Sequence, residues 1–165
     1  MIIILDGSKG AGKSTTAELL CKKLDNSVHL SIDNERHSLV NQEGTIQERN
    51  SRAFESILDK SKEYIAQNKN IIIDCGLIAE RVTQIEKLAK EKNISLYKFL
   101  LKAPYDTQLE RVRERDALKG KQTDEDRFKK VHESLHGKSF EDFITIETDK
   151  NSPEEVMNII LKNIA

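Results

Sequence analysis

A stretch of nine residues near the start of the chain has a composition suited to holding phosphate groups. It reads GSKGAGKST and fits the spacing GxxxxGK[ST], with Gly7, Gly12, Lys13 and Ser14 at the defining positions. Glycines let consecutive backbone N–H groups converge on phosphate oxygens, and a helix that follows presents its positive end to the same charge. A lysine here reaches the β- and γ-phosphates, and the hydroxyl is a ligand for Mg²⁺. The stretch therefore predicts a site for a nucleotide triphosphate.

The neighbouring sequence supports this interpretation. The apolar run Ile2 to Leu5 precedes the loop and predicts a strand buried on both faces, and a helical pattern over residues 13–24 follows it. A strand before the loop and a helix after it are the context that such a loop requires. The alternative, a flexible turn that matches by chance, does not account for both neighbours. We expect the loop to bind phosphate through Gly7, Ser8, Lys9, Gly10, Ala11, Gly12, Lys13, Ser14 and Thr15.

A carboxylate that could bind metal ends another predicted strand. Asp74 follows the continuous apolar run Ile71 to Ile73. Phosphoryl transfer uses Mg²⁺ held by an acidic residue and a loop hydroxyl. We therefore predict Asp74 and Ser14 as Mg²⁺ ligands, with the alternative that Asp74 only caps a turn before Gly76.

At its glycine loop the chain resembles the P-loop nucleoside-triphosphate-binding family, which includes motors, GTPases, transport ATPases and small kinases. The NKxD and DxxG motifs of the GTPases do not occur in the expected order. A length of 165 residues is also short for the ATPase core of most motors. These features favour a small kinase.

The second predicted strand runs from Val28 to Ile32. The segment that follows it resembles the corresponding segment of P-loop phosphotransferases that carry a D-x-x-R string. Asp33 and Arg36 match it. The resemblance implies that Asp33 accepts the proton of the attacking hydroxyl and that Arg36 holds a polar group of the acceptor. A carboxylate at the end of a strand would face the crevice in which ligands of open α/β sheets bind. Alternatively, Asp33 caps a short helix and Arg36 is solvated.

Two arginines further along the chain are spaced to lie on one face of a helix. Arg111 and Arg115 are four residues apart, whereas Arg113 points elsewhere. The pair resembles the R-x-x-x-R lid helix of the same kinases, which implies that both guanidinium groups close over the transferring phosphate and lie near the adenine. Because Glu110 and Glu114 are interleaved, a solvated face of compensating charges is the alternative.

The order of these motifs resembles the kinase domain of polynucleotide 5′-kinase and its AAA_33-type relatives. It includes the string Asp74-x-x-Leu77-x-x-Glu80-Arg81. The resemblance implies ATP and Mg²⁺ as cofactors and a hydroxyl acceptor, either a small molecule or the 5′ end of a nucleic acid. A local string from Asp33 to Leu39 resembles adenylylsulfate kinase, so that enzyme or another small-molecule kinase is an alternative. An alternative of another class is a nucleotide-binding regulator or toxin-like effector.

The remaining sequence predicts one α/β domain over residues 1–165. Strand-length apolar runs alternate with longer segments of helical spacing, which indicates a parallel sheet. We predict a three-layer P-loop NTPase fold with five parallel strands, helices on both faces and a helical lid around residues 104–137.

Composition narrows the possible partners. The net charge is -1 and aromatic residues make up 5%, which argues against a surface devoted wholly to nucleic acid. No apolar run approaches the length of a membrane span, and no signal segment is recognisable, so we expect a cytoplasmic protein without a membrane partner. Two cysteines without metal spacing predict reduced packing residues. The sequence predicts no oligomeric state.

Overall fold

The computed structural model describes residues 1–74, 76, 79–135 and 142–164. Its strands are β1 (Ile2–Asp6), β2 (Ser27–Ser31), β3 (Asn70–Asp74), β4 (Leu96–Lys102) and β5 (Ile144–Glu147). Its helices are α1 (Lys13–Lys23), α2 (Ile32–Ser38), α3 (Ile46–Ala66), α4 (Ala79–Glu91), α5 (Tyr105–Leu118), α6 (Glu125–Leu135) and α7 (Pro153–Ile164). Cys75, Leu77 and the last two residues of the predicted lid, 136 and 137, lie outside the described residues.

The five strands form one sheet in which every neighbouring pair is parallel, in the order β2-β3-β1-β4-β5. Strand β1 is central, and its residues from Ile2 to Leu5 are fully buried. A central strand of a parallel sheet is covered on both faces, which explains its uninterrupted apolar run. Leu5 pairs with Asp74, so the glycine loop after β1 begins beside the end of β3.

Helices cover both faces of the sheet, and this confirms the predicted three-layer P-loop fold. One face packs against Phe54 and Ile57 of α3 and Ile85 of α4. The other face packs against Leu20 of α1 and Ile160 of α7. All five side chains are buried, because each helix turns its apolar stripe toward the sheet.

A smaller cluster joins α5 to α6, the two helices within the predicted lid. Leu109 and Val112 of α5 pack with Phe128 of α6, and Tyr105 lies against them. An ion pair of 2.6 Å between Arg113 Nη2 and Glu125 Oε1 links the same helices on their exposed side. The two helices therefore form a pair with its own small core.

The second strand ends earlier in the structure than the sequence predicts. Strand β2 ends at Ser31, so Asp33 lies in the first turn of α2 and does not directly follow the strand. Ser31 is the N-cap residue, and its hydroxyl accepts a hydrogen bond from the Asn34 N–H at 3.5 Å. A serine at this position satisfies an N–H group that the helix leaves unpaired, so the strand ends at Ser31, one residue earlier than the predicted end at Ile32.

None of the helices in the described parts of the chain is long and apolar enough to cross a membrane.

Candidate functional site

The glycine loop is tightly fitted against its neighbours. Gly10 has a φ of 86°, which favours glycine, and a Cβ atom there would lie 2.5 Å from the carbonyl oxygen of Gln108 in α5. A Cβ atom on Gly7 would lie 2.4 Å from the carbonyl oxygen of Leu101 in β4. The loop needs glycine at these two positions because other backbone segments approach it closely.

The Lys13 side chain lies across this loop. Its Nζ atom donates to the carbonyl oxygens of Gly7 at 2.9 Å and Ser8 at 3.2 Å. The same atom is 4.0 Å from Asp74 Oδ1, and both side chains are largely buried. The ammonium group is thus positioned between the loop and the end of β3, where a triphosphate could replace its carbonyl partners.

Asp74 is a buried carboxylate at the end of β3. Burial raises its pKa above the ordinary value, while the charges of Lys13 and His29 oppose that rise. Asp74 lines the same cavity as the Ser14 hydroxyl. A carboxylate and a hydroxyl are oxygen donors of the kind that Mg²⁺ takes together with substrate phosphates and water. These two residues therefore fit the predicted metal site.

Asp33 and Arg36 form an ion pair within α2. Arg36 Nη2 lies 2.7 Å from Asp33 Oδ1, and Arg36 Nη1 donates to Asn50 Oδ1 of α3 at 2.8 Å. The Asp33 side chain is 74% exposed, whereas that of Arg36 is 17% exposed. The alternative of a solvated Arg36 is therefore wrong, because two side chains fix its guanidinium group. The carboxylate itself remains open to the cavity that it lines.

Two further residues of this region carry no signal strong enough to identify them from sequence. Arg81 of α4 is buried, with 9% exposure, and its Cζ atom lies 5.5 Å from the ring centroid of Phe54 in α3. Asn50 holds Arg36, as described above. Arg81 occurs in the Glu80-Arg81 string of the family pattern, but its inward position depends on how α4 packs on α3.

The two arginines predicted to belong to a lid, Arg111 and Arg115, differ in their surroundings. Arg111 donates to the Thr148 carbonyl oxygen at 2.7 Å, to the Thr148 hydroxyl at 3.0 Å and to the Gly10 carbonyl oxygen at 3.3 Å. These bonds connect α5 to the glycine loop and to the residue after β5. Arg115 is bonded to Asp116 at 3.1 Å, and Asp116 lies 3.8 Å from Lys9 of the loop. The base of the predicted lid thus already contacts the loop.

A cavity of about 720 Å³ brings the predicted residues together. Its size is typical of a site for small molecules. Ala11 is the predicted loop residue that does not line it, because its side chain is buried in the core beneath the loop. Arg111 and Arg115 line the cavity, while Arg113 pairs with Glu125 instead. The lining residues are Gly7, Ser8, Lys9, Gly10, Gly12, Lys13, Ser14, Thr15, Ser31, Ile32, Asp33, Arg36, Asn50, Asp74, Gly76, Arg81, Arg111, Arg115 and Val131.

A comparison with protein families identifies the family of this chain. The AAA domain family AAA_33 matches residues 2–137. The chain belongs to this family, as the order of its motifs predicted. No curated protein sequence matches it.

Solved structures share the fold at low sequence identity. The tunicamycin resistance protein of Deinococcus radiodurans is 19% identical, with a TM-score of 0.68 over 99% of this chain and 94% of that one. The APS kinase CysC of Mycobacterium tuberculosis in complex with AMPPNP and APS is 17% identical, with a TM-score of 0.71 over 99% and 96%. A chain of the Pnkp1/Rnl/Hen1 RNA repair complex is 19% identical, with a TM-score of 0.66 over 81% of this chain and 43% of that one. The chain therefore has a P-loop kinase-like fold.

Proposed function

We propose that the protein is an ATP-dependent phosphotransferase that moves the γ-phosphate of ATP to a hydroxyl group of a second substrate. One observation carries the proposal. A single cavity contains the glycine loop with Lys13, the buried carboxylate of Asp74 and the exposed carboxylate of Asp33. A donor site for triphosphate and a candidate base for an acceptor hydroxyl thus face the same space.

On the donor side, the loop amides and the Lys13 ammonium group would bind the β- and γ-phosphates of ATP. Lys13 would exchange its bonds to the Gly7 and Ser8 carbonyl oxygens for stronger bonds to charged phosphate oxygens. Ser14 and Asp74 would hold Mg²⁺, which neutralises charge on the phosphates when bound. The buried Asp74 carboxylate gains a positive partner in this way.

On the acceptor side, Asp33 would orient the attacking hydroxyl and accept its proton. The hydroxyl oxygen forms a bond to the γ-phosphorus, the bond from that phosphorus to the β–γ bridging oxygen breaks, and ADP leaves. Because the Asp33 carboxylate is largely exposed to the cavity, a hydroxyl group can reach it. The pair with Arg36 fixes its orientation, so catalysis relies on positioning and electrostatics.

The lid arginines would complete the site. Arg115 and Arg111 lie on α5 above the loop, and both line the cavity. Guanidinium groups at this place stabilise the negative charge that develops on the transferring phosphoryl oxygens. Arg111 would act from a fixed position, since its bonds to Thr148 and Gly10 already hold it.

The order of motifs favours an acceptor like that of a polynucleotide 5′-kinase, and a small-molecule acceptor is the alternative. The RNA repair complex among the similar structures supports the first, and the APS kinase supports the second. Contacts to a phosphodiester backbone weaken steeply as salt rises, because several phosphates are neutralised together, whereas binding of a small molecule with few charges depends on salt less steeply. The slope of the salt dependence therefore separates the two.

The proposal is tested by a screen for ATP consumption over 5′-hydroxyl oligonucleotides, nucleosides, adenylylsulfate, sugars and antibiotic alcohols. We expect Mg²⁺-dependent formation of ADP with one acceptor class and none with the Lys13→Ala variant. A labelled phosphate should appear on the acceptor in equal amount to the ADP. ATP binding without transfer to any hydroxyl would instead indicate a nucleotide-binding regulator or effector.

A further inference from the structure

We infer that Gln108 of α5 is a positioning residue for the glycine loop and acts through the Ser8 hydroxyl group. Ser8 lines the cavity, and its Oγ atom donates a hydrogen bond to Gln108 Oε1 at 2.5 Å. Gln108 is 2% exposed and does not line the cavity itself. The inference rests on the part of the proposed function in which the loop binds the triphosphate of ATP. It adds a residue outside the loop on which that binding depends.

The orientation of the Gln108 amide is fixed by a second hydrogen bond. Its Nε2 atom donates to the carbonyl oxygen of Ala103 at 2.7 Å. A carbonyl oxygen can only accept, so the amide nitrogen faces Ala103 and the amide oxygen faces Ser8. Because Gln108 is buried, a group that lost its partner could not turn to water instead. The amide is therefore an acceptor held in place for the Ser8 hydroxyl.

The Ser8 hydroxyl group has one proton, and its bond to Gln108 uses that proton. While this bond is made, the hydroxyl cannot also donate to a phosphate oxygen. Ser8 can then donate to phosphate only through its backbone N–H group. Its side chain serves instead to attach the first half of the loop to α5.

This attachment matters most when a triphosphate binds. In the nucleotide-free loop, Lys13 Nζ donates to the carbonyl oxygens of Gly7 and Ser8. The proposed function has Lys13 exchange both bonds for bonds to phosphate oxygens, so the first half of the loop loses two of the contacts that hold it. The bond from Ser8 to Gln108 does not involve Lys13 and can remain. Gln108 would therefore keep the loop in shape in the bound state.

Gln108 also approaches the loop with its backbone. A Cβ atom on Gly10 would lie 2.5 Å from the Gln108 carbonyl oxygen. One residue of α5 thus meets the loop at two positions, Ser8 through its side chain and Gly10 through its main chain. Backbone amides that are already in place bind a phosphate more tightly, because less conformational freedom is lost on binding. Loss of the Gln108 amide should therefore weaken binding of the triphosphate.

Gln108→Glu tests the inference through the pH dependence of binding. When protonated, the new carboxyl group can donate to Ala103 and accept from Ser8, as the amide does. When ionised, it cannot donate, and it adds a negative charge beside the loop. Burial raises the pKa of a carboxyl group, so the neutral form is within reach of mildly acidic pH.

Calorimetry with Mg²⁺ and a nonhydrolysable ATP analogue measures the affinity of variant and wild type at pH 5 and pH 8. Titration of the phosphates affects both proteins and cancels in the ratio of their affinities. We expect Gln108→Glu to bind within about twofold of the wild type at pH 5 and about 10-fold or more weakly at pH 8. Gln84→Glu, on an exposed position of α4, is the matched control. Its ratio to the wild type should not change with pH.

Two further variants test whether Ser8 acts through Gln108. Ser8→Ala and Gln108→Leu each remove the bond between them, so each should weaken binding of the analogue by about 10-fold. The double variant should lose no more than the weaker-binding single variant, because the two residues act as one pair. In kinetics with the acceptor that the screen identifies, both single variants should raise KM for ATP and leave KM for the acceptor unchanged. Thermal unfolding checks that each variant is folded.

The outcomes distinguish this inference from the proposed function. If the wild type binds the analogue but the affinity ratio of Gln108→Glu does not change with pH, the inference alone is overturned. Losses that add in the double variant would also overturn it, because Ser8 would then bind phosphate directly. If Gln108→Leu does not fold, the pH dependence of Gln108→Glu decides. Failure of the wild type to bind the analogue would overturn both, whereas binding with the expected ratios but no transfer to any hydroxyl would overturn the proposed function alone.

Discussion

Arg36 Nη2 lies 2.7 Å from Asp33 Oδ1, so the candidate base and the candidate acceptor ligand form one ion pair at the start of α2. Asn50 holds the other guanidinium nitrogen at 2.8 Å. The carboxylate is therefore oriented by a residue that is itself fixed. Removal of Asp33 and removal of Arg36 should therefore affect catalysis differently from each other.

Asp33→Asn keeps the size of the side chain but removes its ability to accept a proton. We expect kcat to fall by about 100- to 10,000-fold, as is typical for loss of a general base, with ATP affinity unchanged. Arg36→Gln should lower kcat and should also raise KM for the acceptor. Steady-state kinetics with varied acceptor and ATP measure both effects. Near-normal turnover by Asp33→Asn would contradict the assignment of the base.

Arg115 and Arg113 provide a matched pair on α5. Both side chains are about half exposed, but Arg115 lines the cavity and Arg113 pairs with Glu125. We expect Arg115→Gln to lower kcat by about 100-fold or more, because it removes positive charge near the transferring phosphate. Arg113→Gln should remain within about twofold of the wild type, since surface ion pairs contribute little. Equal losses in the two variants would show that α5 acts only through its fold.

Substitutions at Gly10 and Gly12 distinguish two reasons for glycine in the loop. One is a positive φ, and the other is the close approach of another backbone segment. Both have positive φ, 86° and 96°, but a Cβ atom on Gly12 would meet nothing within 4 Å. Gly12→Ala should therefore lower the free energy of unfolding by about 1–2 kcal/mol, from backbone strain alone. Gly10→Ala should lower it further, because the Gln108 backbone must move. Urea denaturation of the nucleotide-free variants measures the difference, and a smaller loss for Gly10→Ala would contradict the close packing of loop on α5.

Asp74 should make the nucleotide-free protein less stable at neutral pH. Burial raises its pKa above the unfolded value of 3.8, so the free energy of unfolding falls as pH rises above 3.8 and the unfolded state releases the proton more readily. We expect Asp74→Asn to raise Tm at pH 7 without ligand. The same variant should lose most of the additional Tm that Mg²⁺ and an ATP analogue confer on the wild type. Thermal unfolding with and without these ligands tests both statements, and a lower Tm for the nucleotide-free variant would contradict the first.

His29 should make stability depend on pH below neutrality. Its Nε2 atom is buried without a hydrogen-bond partner in the described part of the chain, and burial lowers its pKa, partly opposed by the charges of Asp74 and Glu18. A lowered pKa gives stability that is present above the unfolded value of 6.5 and is lost as pH falls toward the folded pKa. His29→Leu should remove this loss, which is at most about 1.4 kcal/mol per pH unit. Unfolding free energies at pH 7.5 and 5.5 for both proteins provide the measurement. An equal decrease in the unfolding free energy of the wild type and of His29→Leu between these pH values would contradict the role given to His29.

Much of the fold follows from local patterns in the sequence. Ile2 to Leu5 and Ile71 to Ile73 are continuous apolar runs because both strands are covered on two faces, and the structure buries all seven residues. The glycine spacing likewise predicted a loop between a strand and a helix, and the structure has it between β1 and α1. Such features depend on neighbours in the chain and can be recognised there.

Less of the candidate site could be predicted, because it depends on contacts between residues that are far apart in the sequence. Asn50 meets Arg36 only because α3 packs on α2, and Arg81 meets Phe54 only because α4 lies beside α3. Arg111 is held by Thr148, which is 37 positions away. No local pattern encodes these contacts. The end of β2 was also missed, because Ser31 begins a helix through a cap that apolar spacing does not show.

The central claim is that the glycine loop holds a triphosphate with its terminal phosphate facing Asp33. A crystal structure with Mg²⁺ and a nonhydrolysable ATP analogue tests it most directly. The account predicts phosphate oxygens on the amides of the loop and on Lys13 Nζ, with the γ-phosphate directed at the Asp33 carboxylate. A nucleotide bound elsewhere with the loop empty, or a γ-phosphate directed away from Asp33, would contradict it.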